Sequence, residues 1–404
     1  MLLRRLLCLS RQSGVELWRL GLRCQSSSPS TSDAAASILQ QYVQKHWDDS
    51  VSSDDATVRY LKRELLKGSR AALAEAITLV ESTHPTKRAK GDLLLAEMLK
   101  VERKRLRQKG PNSLIFRIGL SGSPGVGKST FIEYFGNMLI KQHGLKVAVL
   151  TVDPSSQTAG GVRISRASAQ KSFGGSILGD ITRMAELARN PNAYIRQSPS
   201  HGTLGGVTRG THEAIILCEG AGYDVVLIET VGVGQSEAAV ADMVDMYCLL
   251  LSPAHGDELQ GVKRGVMELS DLIVVTKADG ELASKARLTQ SDYISAFKYM
   301  RPRLKCWKTQ VLRASSMSGE GVPEVWECMQ DFWAKTRDSG ELMERRNQQR
   351  IGCMWQHIQD EIMSLFCSHP SVLRKASEFE QDIEDGKMTP GLASEILLRS
   401  FLGV

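Results

Sequence analysis

The sequence predicts an α/β protein built on a doubly wound, mostly parallel sheet, with further helices before and after it. Three observations carry this. Six short runs between residues 114 and 315 are almost wholly apolar, as strands buried on both faces read. The stretches between them are of helix length, and strands alternating with helices pack as a parallel sheet covered on both sides. At 404 residues, 42% hydrophobic and 24% charged, the chain can bury the core of one large domain or two smaller ones.

The elements follow in chain order. Residues 1–30, "MLLRRLLCLSRQSGVELWRLGLRCQSSSPS", hold five arginines, no lysine and one acid, Glu16. That is the pattern of an amphipathic mitochondrial transit peptide; arginines interrupt the apolar core that a secretory signal needs. This segment contributes +4 of the net charge of +6, so the body of the chain is close to neutral and nothing electrostatic points to nucleic acid. No apolar run is long enough to predict a membrane span. Eight scattered cysteines show no C-x-x-C spacing and predict neither a zinc site nor a disulfide framework.

Residues 34–109 read as helical. "SRAALAEAITLVEST" (69–83) puts Leu73, Ile77 and Val80 on one face, with Ser69 as N-cap and Pro85 ending the helix. A second helix runs to about Lys109, and its basic end, "KVERKRLRQK", suits a solvated C-terminus favoured by the helix dipole. The strand candidates are 114–120, 146–153, 223–230, 244–251, 271–277 and 309–315. Beyond about residue 339 the chain is helical again. The expected division is 1–30, 34–109, a central 110–338 and a C-terminal helical appendage 339–404.

Gly122, Ser123, Pro124, Gly125, Val126, Gly127, Lys128 and Ser129 fit G-x-x-x-x-G-K-[ST], after a predicted strand and at the start of a predicted helix that continues through Thr130. A chain that wraps a phosphate must bring successive backbone N–H groups up to its oxygens, and side chains would obstruct that approach. The helix start adds its positive dipole end. Lys128 is expected to reach the β- and γ-phosphates, and Ser129 to offer its hydroxyl to Mg²⁺.

"VTKADG" (275–280) suggests the base. In Asn/Thr-Lys-x-Asp motifs the aspartate, here Asp279, accepts from guanine N1–H and the 2-amino group. Adenine lacks those donors, which favours GTP over ATP. Lys277 is expected to pack along the base. "RASSMSGEG" (313–321) follows one strand later, and the backbone amides of Ser315, Ser316 and Met317 are candidates for guanine O6. "LIETVGVGQSE" (227–237) reads as a Walker-B-like strand end with Glu229 as the acid near Mg²⁺, followed by a glycine-rich switch. Asp153 either serves the metal or closes a turn before Pro154; Asp180 either serves the metal or caps a helix.

"GSPGVGKSTFIEYFG", "VDPSS", "GGSILGD", "AYIRQSPSHGTLGGVTRGTHEAI", "CEGAGYDVVLIETVGVGQSE", "VADMVDM", "DELQGVKRG" and "TKADG" together resemble the methylmalonic aciduria type A and MeaB family, over roughly residues 65–404. The resemblance implies a P-loop GTPase of SIMIBI-like fold with a C-terminal helical dimerisation arm. It implies a matrix GTP-hydrolysing chaperone of methylmalonyl-CoA mutase that gates adenosylcobalamin delivery from the cobalamin adenosyltransferase, supports repair and protects the mutase. The adenosylcobalamin belongs to the partner. Family metal ligands fall on Ser129, Asp153, Asp180 and Glu229. The mobile family loop falls on 252–265, where Lys263 either swings toward the phosphates or is a surface lysine. No glutamine stands at a Ras-like water-positioning place, so slow intrinsic hydrolysis is expected. Two departures stand out: a basic insertion at 162–173, "VRISRASAQKSF", and Ser315-Ser316 where the family has Ser-Ala.

Rival readings are a nickel-inserting maturation GTPase, an ATP-dependent kinase and a nucleotide-bound scaffold without turnover. The eight histidines form no cluster, which opposes the first. Asp279 opposes the second, and the intact Lys128, Ser129 and Glu229 oppose the third.

Overall fold

The structure, a computed structural model, describes residues 51–52, 54–82, 84–152, 184–198, 204–230, 235–253 and 264–402. The transit-peptide segment, Asp153, Asp180, the insertion 162–173 and Lys263 lie outside the described residues.

Seven parallel strands form one sheet in the order β3-β2-β4-β1-β5-β6-β7. They are β1 (Phe116–Ser121), β2 (Val147–Val152), β3 (Ala193–Ser198), β4 (Val225–Thr230), β5 (Met246–Leu251), β6 (Leu272–Val275) and β7 (Gln310–Arg313). Residue for residue, β1, β2, β4 and β5 are buried on both faces, which explains their unbroken apolar runs. Six of the seven were expected, each starting one or two residues later; β1 also runs one residue past its expected end, to Ser121. β3 was not. It lies at the sheet edge beside β2, and Arg196 and Gln197 break the apolar pattern that marks the others.

Side chains alternate across the sheet. Val149, Leu227, Ile118 and Leu120 face α4 (Lys128–His143) and α10 (Val322–Asp338) in one core. Leu150, Ile228, Tyr247 and Leu249 face the other way, toward α6 (Leu204–Gly220) and α7 (Gln235–Ala241). Three N-terminal helices join this second core: α1 (Ala56–Leu66), α2 (Arg70–Val80) and α3 (Pro85–Lys109), through Leu61, Leu65, Leu73, Ile77, Leu94 and Met98. The remaining helices are α5 (Ala185–Arg189), α8 (Arg264–Leu269), α9 (Ala283–Phe297), α11 (Glu341–Ser368), α12 (Pro370–Glu384) and α13 (Pro390–Leu402).

Ser69 caps α2 as expected, its Oγ accepting from the Ala72 amide at 3.3 Å. Pro85 does not end that helix, which stops at Val80. It stands instead at the first position of α3, where its missing N–H costs nothing and its φ suits the turn. The basic end of α3 is solvated, with Arg107 and Lys109 in its last turn.

α11 is bound to the amino-terminal edge of the sheet by buried charge. Arg346 donates to both carboxylate oxygens of Asp245 at 2.7 Å, and its Nη1 lies 3.5 Å from Glu219. Arg117 of β1 donates to both oxygens of Glu219, at 2.7 and 2.8 Å. Arg345 reaches Asp271 at 3.0 Å. Burial alone would raise the carboxyls of Asp245 and Glu219, but Arg346 and Arg117 hold both below the ordinary range.

Candidate functional site

β1 is the middle strand of the sheet. The chain leaves it toward β2 on one side, and β5 lies on its other side. In open α/β sheets ligands bind at the carboxyl ends of strands at such a switch point. Residues 122–127 form the loop at that end.

The loop could not be built from ordinary residues. Gly122 has φ 150°, and a Cβ there would stand 2.4 Å from the Leu250 carbonyl oxygen, a backbone atom that cannot yield. Gly125 and Gly127 have φ of 83° and 97°. Val126 is buried and anchors the loop, while Ser123, Pro124 and Gly125 are exposed. Gly127 opens α4, whose first intrahelical bond runs from the Phe131 amide to Gly127 O at 2.9 Å. The amides of Ser129 and Thr130, in the first turn, thus have no carbonyl of α4 to bond, which is the arrangement that receives an anion. The glycine cradle and its positive helix start fit a polyphosphate. Lys128 Nζ donates to the carbonyls of Gly122 at 2.6 Å and Ser123 at 3.2 Å, so its ammonium already sits over the loop.

Glu229 stands at the carboxyl end of β4, 6% exposed, and takes a hydrogen bond from Ser129 Oγ at 3.0 Å. A hydroxyl and a carboxylate in contact beside the phosphate loop are hard oxygen donors of the kind Mg²⁺ takes. The ladder puts Thr151 of β2 directly beside Glu229 on the same face. Thr151 is buried, and its Oγ1 has no hydrogen-bond partner among the described residues. Sequence reasoning passed over this threonine, because it sits inside an apolar run with no motif of its own.

The base-side residues reach the same loop. Thr276 is buried, and its hydroxyl lies 2.7 Å from Val126 O and 3.0 Å from Leu251 O, tying β6 to the phosphate loop. Lys277 is the single non-glycine residue with positive φ (53°) among the described residues, and its Nζ donates to Gly125 O at 2.8 Å. Its stem therefore lies across the phosphate loop. Asp279 is half-buried and begins a short 3₁₀ turn, Gly280–Leu282, without a side-chain cap bond. In the following loop Ser315 is buried, and its Oγ accepts from the amides of Met317 and Ser318, both at 3.2 Å. The Ser315 amide donates to Glu320 O at 2.8 Å. Of the three amides expected to face a base, those of Ser315 and Met317 are engaged within the loop. That of Ser316 has no such bond among the described residues.

The structure thus brings together the phosphate loop, Ser129, Glu229, Lys277, Asp279 and the 315–317 loop at one edge of the sheet. Asp153, Asp180 and Lys263 fall outside the described residues.

Comparison with known proteins agrees with this arrangement. The family described as "Methylmalonyl Co-A mutase-associated GTPase MeaB" matches residues 73–371. The chain is 58% identical over 367 residues to the Caenorhabditis elegans protein named methylmalonic aciduria type A homolog, mitochondrial, covering 91% of this chain and 88% of that one. It is 50% identical over 364 residues to the Mus musculus protein of the same name, covering 90% and 84%. Among solved structures, the crystal structure of an LAO/AO transport system kinase is similar at a TM-score of 0.64 and 33% identity, covering 86% of this chain and 98% of that one. The phosphate loop, the Ser129–Glu229 pair and these matches make one assignment: the chain belongs to the MeaB family and is a GTPase.

Proposed function

We propose that this GTPase is a nucleotide-controlled chaperone of methylmalonyl-CoA mutase in the mitochondrial matrix, gating adenosylcobalamin loading and repair and protecting the mutase from inactivation. The observation that carries the reading is the family match over 73–371, whose description names the mutase, superimposed on an intact phosphate loop. The arginine-rich residues 1–30 and the mitochondrial names of the relatives support the compartment. Among the described residues no helix is long and apolar enough to cross a membrane.

In this reading GTP sits with its phosphates in the loop 122–129 and its base against Lys277 and Asp279, with the Ser316 amide as the donor left for guanine O6. Ser129 and Glu229 hold Mg²⁺, with Asp153 and Asp180 completing the set. Bound Mg²⁺ neutralises charge that develops on the phosphates. Lys128 and Lys263 act on the same phosphates, Lys263 when the mutase docks. The cobalamin adenosyltransferase supplies the cofactor, which stays with the mutase.

The segment 339–404 acts as a dimerisation arm. α11 exposes Ile351, Trp355, Ile358 and Ile362 at spacings of four, three and four. That is the spacing a helix-pair seam uses, and an exposed apolar stripe supports the reading.

The test is turnover of GTP by the purified protein with and without methylmalonyl-CoA mutase, joined to capture from mitochondrial extract with GDP or a non-hydrolysable GTP analogue. Faster hydrolysis with the mutase and nucleotide-dependent capture of it are expected. An unchanged rate together with capture indifferent to nucleotide would defeat the chaperone reading while leaving the GTPase intact.

A further inference from the structure

Beneath the phosphate loop runs a buried hydrogen-bond chain that the nucleotide contacts above do not use. Ser121, the last residue of β1, precedes Gly122 directly and is fully buried. Its Oγ donates to Glu237 Oε1 at 3.3 Å and accepts from Thr230 Oγ1 at 2.9 Å. Thr230 is fully buried, and Glu237 is 8% exposed.

Their places in the chain give the contact its meaning. Thr230 closes β4 immediately before residues 231–234, the glycine-rich "VGVG". Glu237 lies in the first turn of α7, just after that segment. One hydroxyl thus joins the residue before the phosphate loop to the chain on both sides of the switch sequence. The approach is deliberate in the packing. A Cβ on Gly119 would stand 3.0 Å from Val240 Cγ1 and 3.1 Å from Val244 Cγ2, so a glycine in β1 is what lets α7 and the chain after it lie this close. A buried carboxylate is costly unless bonded, and an apolar side chain would fill the place of Glu237 at less cost. Its value here is therefore positional.

We propose that Ser121 and Glu237 are positioning residues for GTP hydrolysis: through Thr230 Oγ1, Ser121 Oγ and Glu237 Oε1 they fix the end of β4 and the start of α7 relative to the phosphate loop. Neither touches the nucleotide. They set the spacing of the end of β4 and the start of α7 around the phosphate loop, and so act on turnover more than on binding.

The experiment compares Ser121→Ala, Glu237→Ala and Glu237→Gln in the full chain, with kcat, KM for GTP, the Kd for GDP and thermal unfolding measured on each. Glutamine keeps the acceptor oxygen and removes only the charge. Both alanine variants should lose about tenfold in kcat with KM and Kd within about twofold, the signature of a contact that matters after binding. Glu237→Gln should stay within about twofold of the parent, and the double alanine variant should be no slower than the worse single by more than about twofold, since one contact joins the pair. Unchanged kcat in folded alanine variants would overturn the proposal. So would a loss of kcat in Glu237→Gln equal to that in Glu237→Ala, or multiplicative losses in the double variant. If Ser121→Ala does not fold, the alanine–glutamine contrast at Glu237 decides alone.

Discussion

At the amino-terminal edge of the sheet, Arg346 and Arg117 are matched oxygen by oxygen with Asp245 and Glu219, all of them buried. At the carboxyl edge, the ammonium groups of Lys128 and Lys277 rest on the neutral carbonyls of Gly122, Ser123 and Gly125. The first network pairs full opposite charges, with Arg346 Nη1 left without a hydrogen bond among the described residues and 3.5 Å from Glu219. The second holds positive charge on weak, exchangeable acceptors around a glycine cradle. Buried charge alone therefore does not mark a functional site. What separates the two edges is that the first closes bidentate ion pairs between buried side chains, whereas at the second the ammonium groups also bond the backbone carbonyls of a glycine-rich loop.

The sharpest way to break this comparison is to remove one cation from each edge. Lys128→Ala should lower kcat by about 10²–10³-fold if, as proposed, its charge acts on the transferred phosphate, while the unfolding midpoint stays within about 4 °C. Full GTP turnover by this variant would show that the carboxyl edge is as self-contained as the other. Arg346→Met should do the reverse. It strands Asp245 and should cost about 3–5 kcal/mol in urea unfolding, with hydrolysis per folded molecule unchanged.

Acid offers a second contrast. Asp245 and Glu219 have folded-state pKa values below the ordinary ones. Their contribution is therefore fully present above the unfolded carboxylate range of about 4 and is lost as pH falls through the lowered folded values. The urea midpoint should drop below about pH 4 in the parent, and that part of the drop should flatten in Arg346→Met. A parallel fall in both proteins would take the network out of the account. The smallest effect concerns specificity. Asp279→Asn should shift preference from guanosine toward xanthosine nucleotides by about 1–3 kcal/mol, read as a ratio of Kd values, since the amide now donates to the 2-carbonyl of xanthine. Unchanged selectivity would remove Asp279 from base recognition.

Much of the carboxyl edge was legible in the sequence. The run from Gly122 to Ser129 is contiguous, and its spacing is dictated by the size of a phosphate, so local chemistry alone announces it. Glu229 and Asp279 were legible for a related reason: each sits at a strand end within a short motif. β3 escaped because an edge strand need not be apolar on both faces, and Arg196 and Gln197 hide it. Pro85 was misread because proline punctuates helices at either end, and only the chain path shows which.

Six of the strands, the phosphate-binding chemistry of the family and the location of its loop were legible in the sequence alone, because each depends on residues that are neighbours in the chain. Only the tertiary structure decided that Ser121, Thr230 and Glu237 share one hydrogen-bond chain, that Thr276 clasps the phosphate loop, and that Arg346 finds Asp245 across 101 positions. Such pairings join elements far apart in sequence, and their partners are chosen by how two close-packed faces happen to meet, which no local pattern of residues encodes.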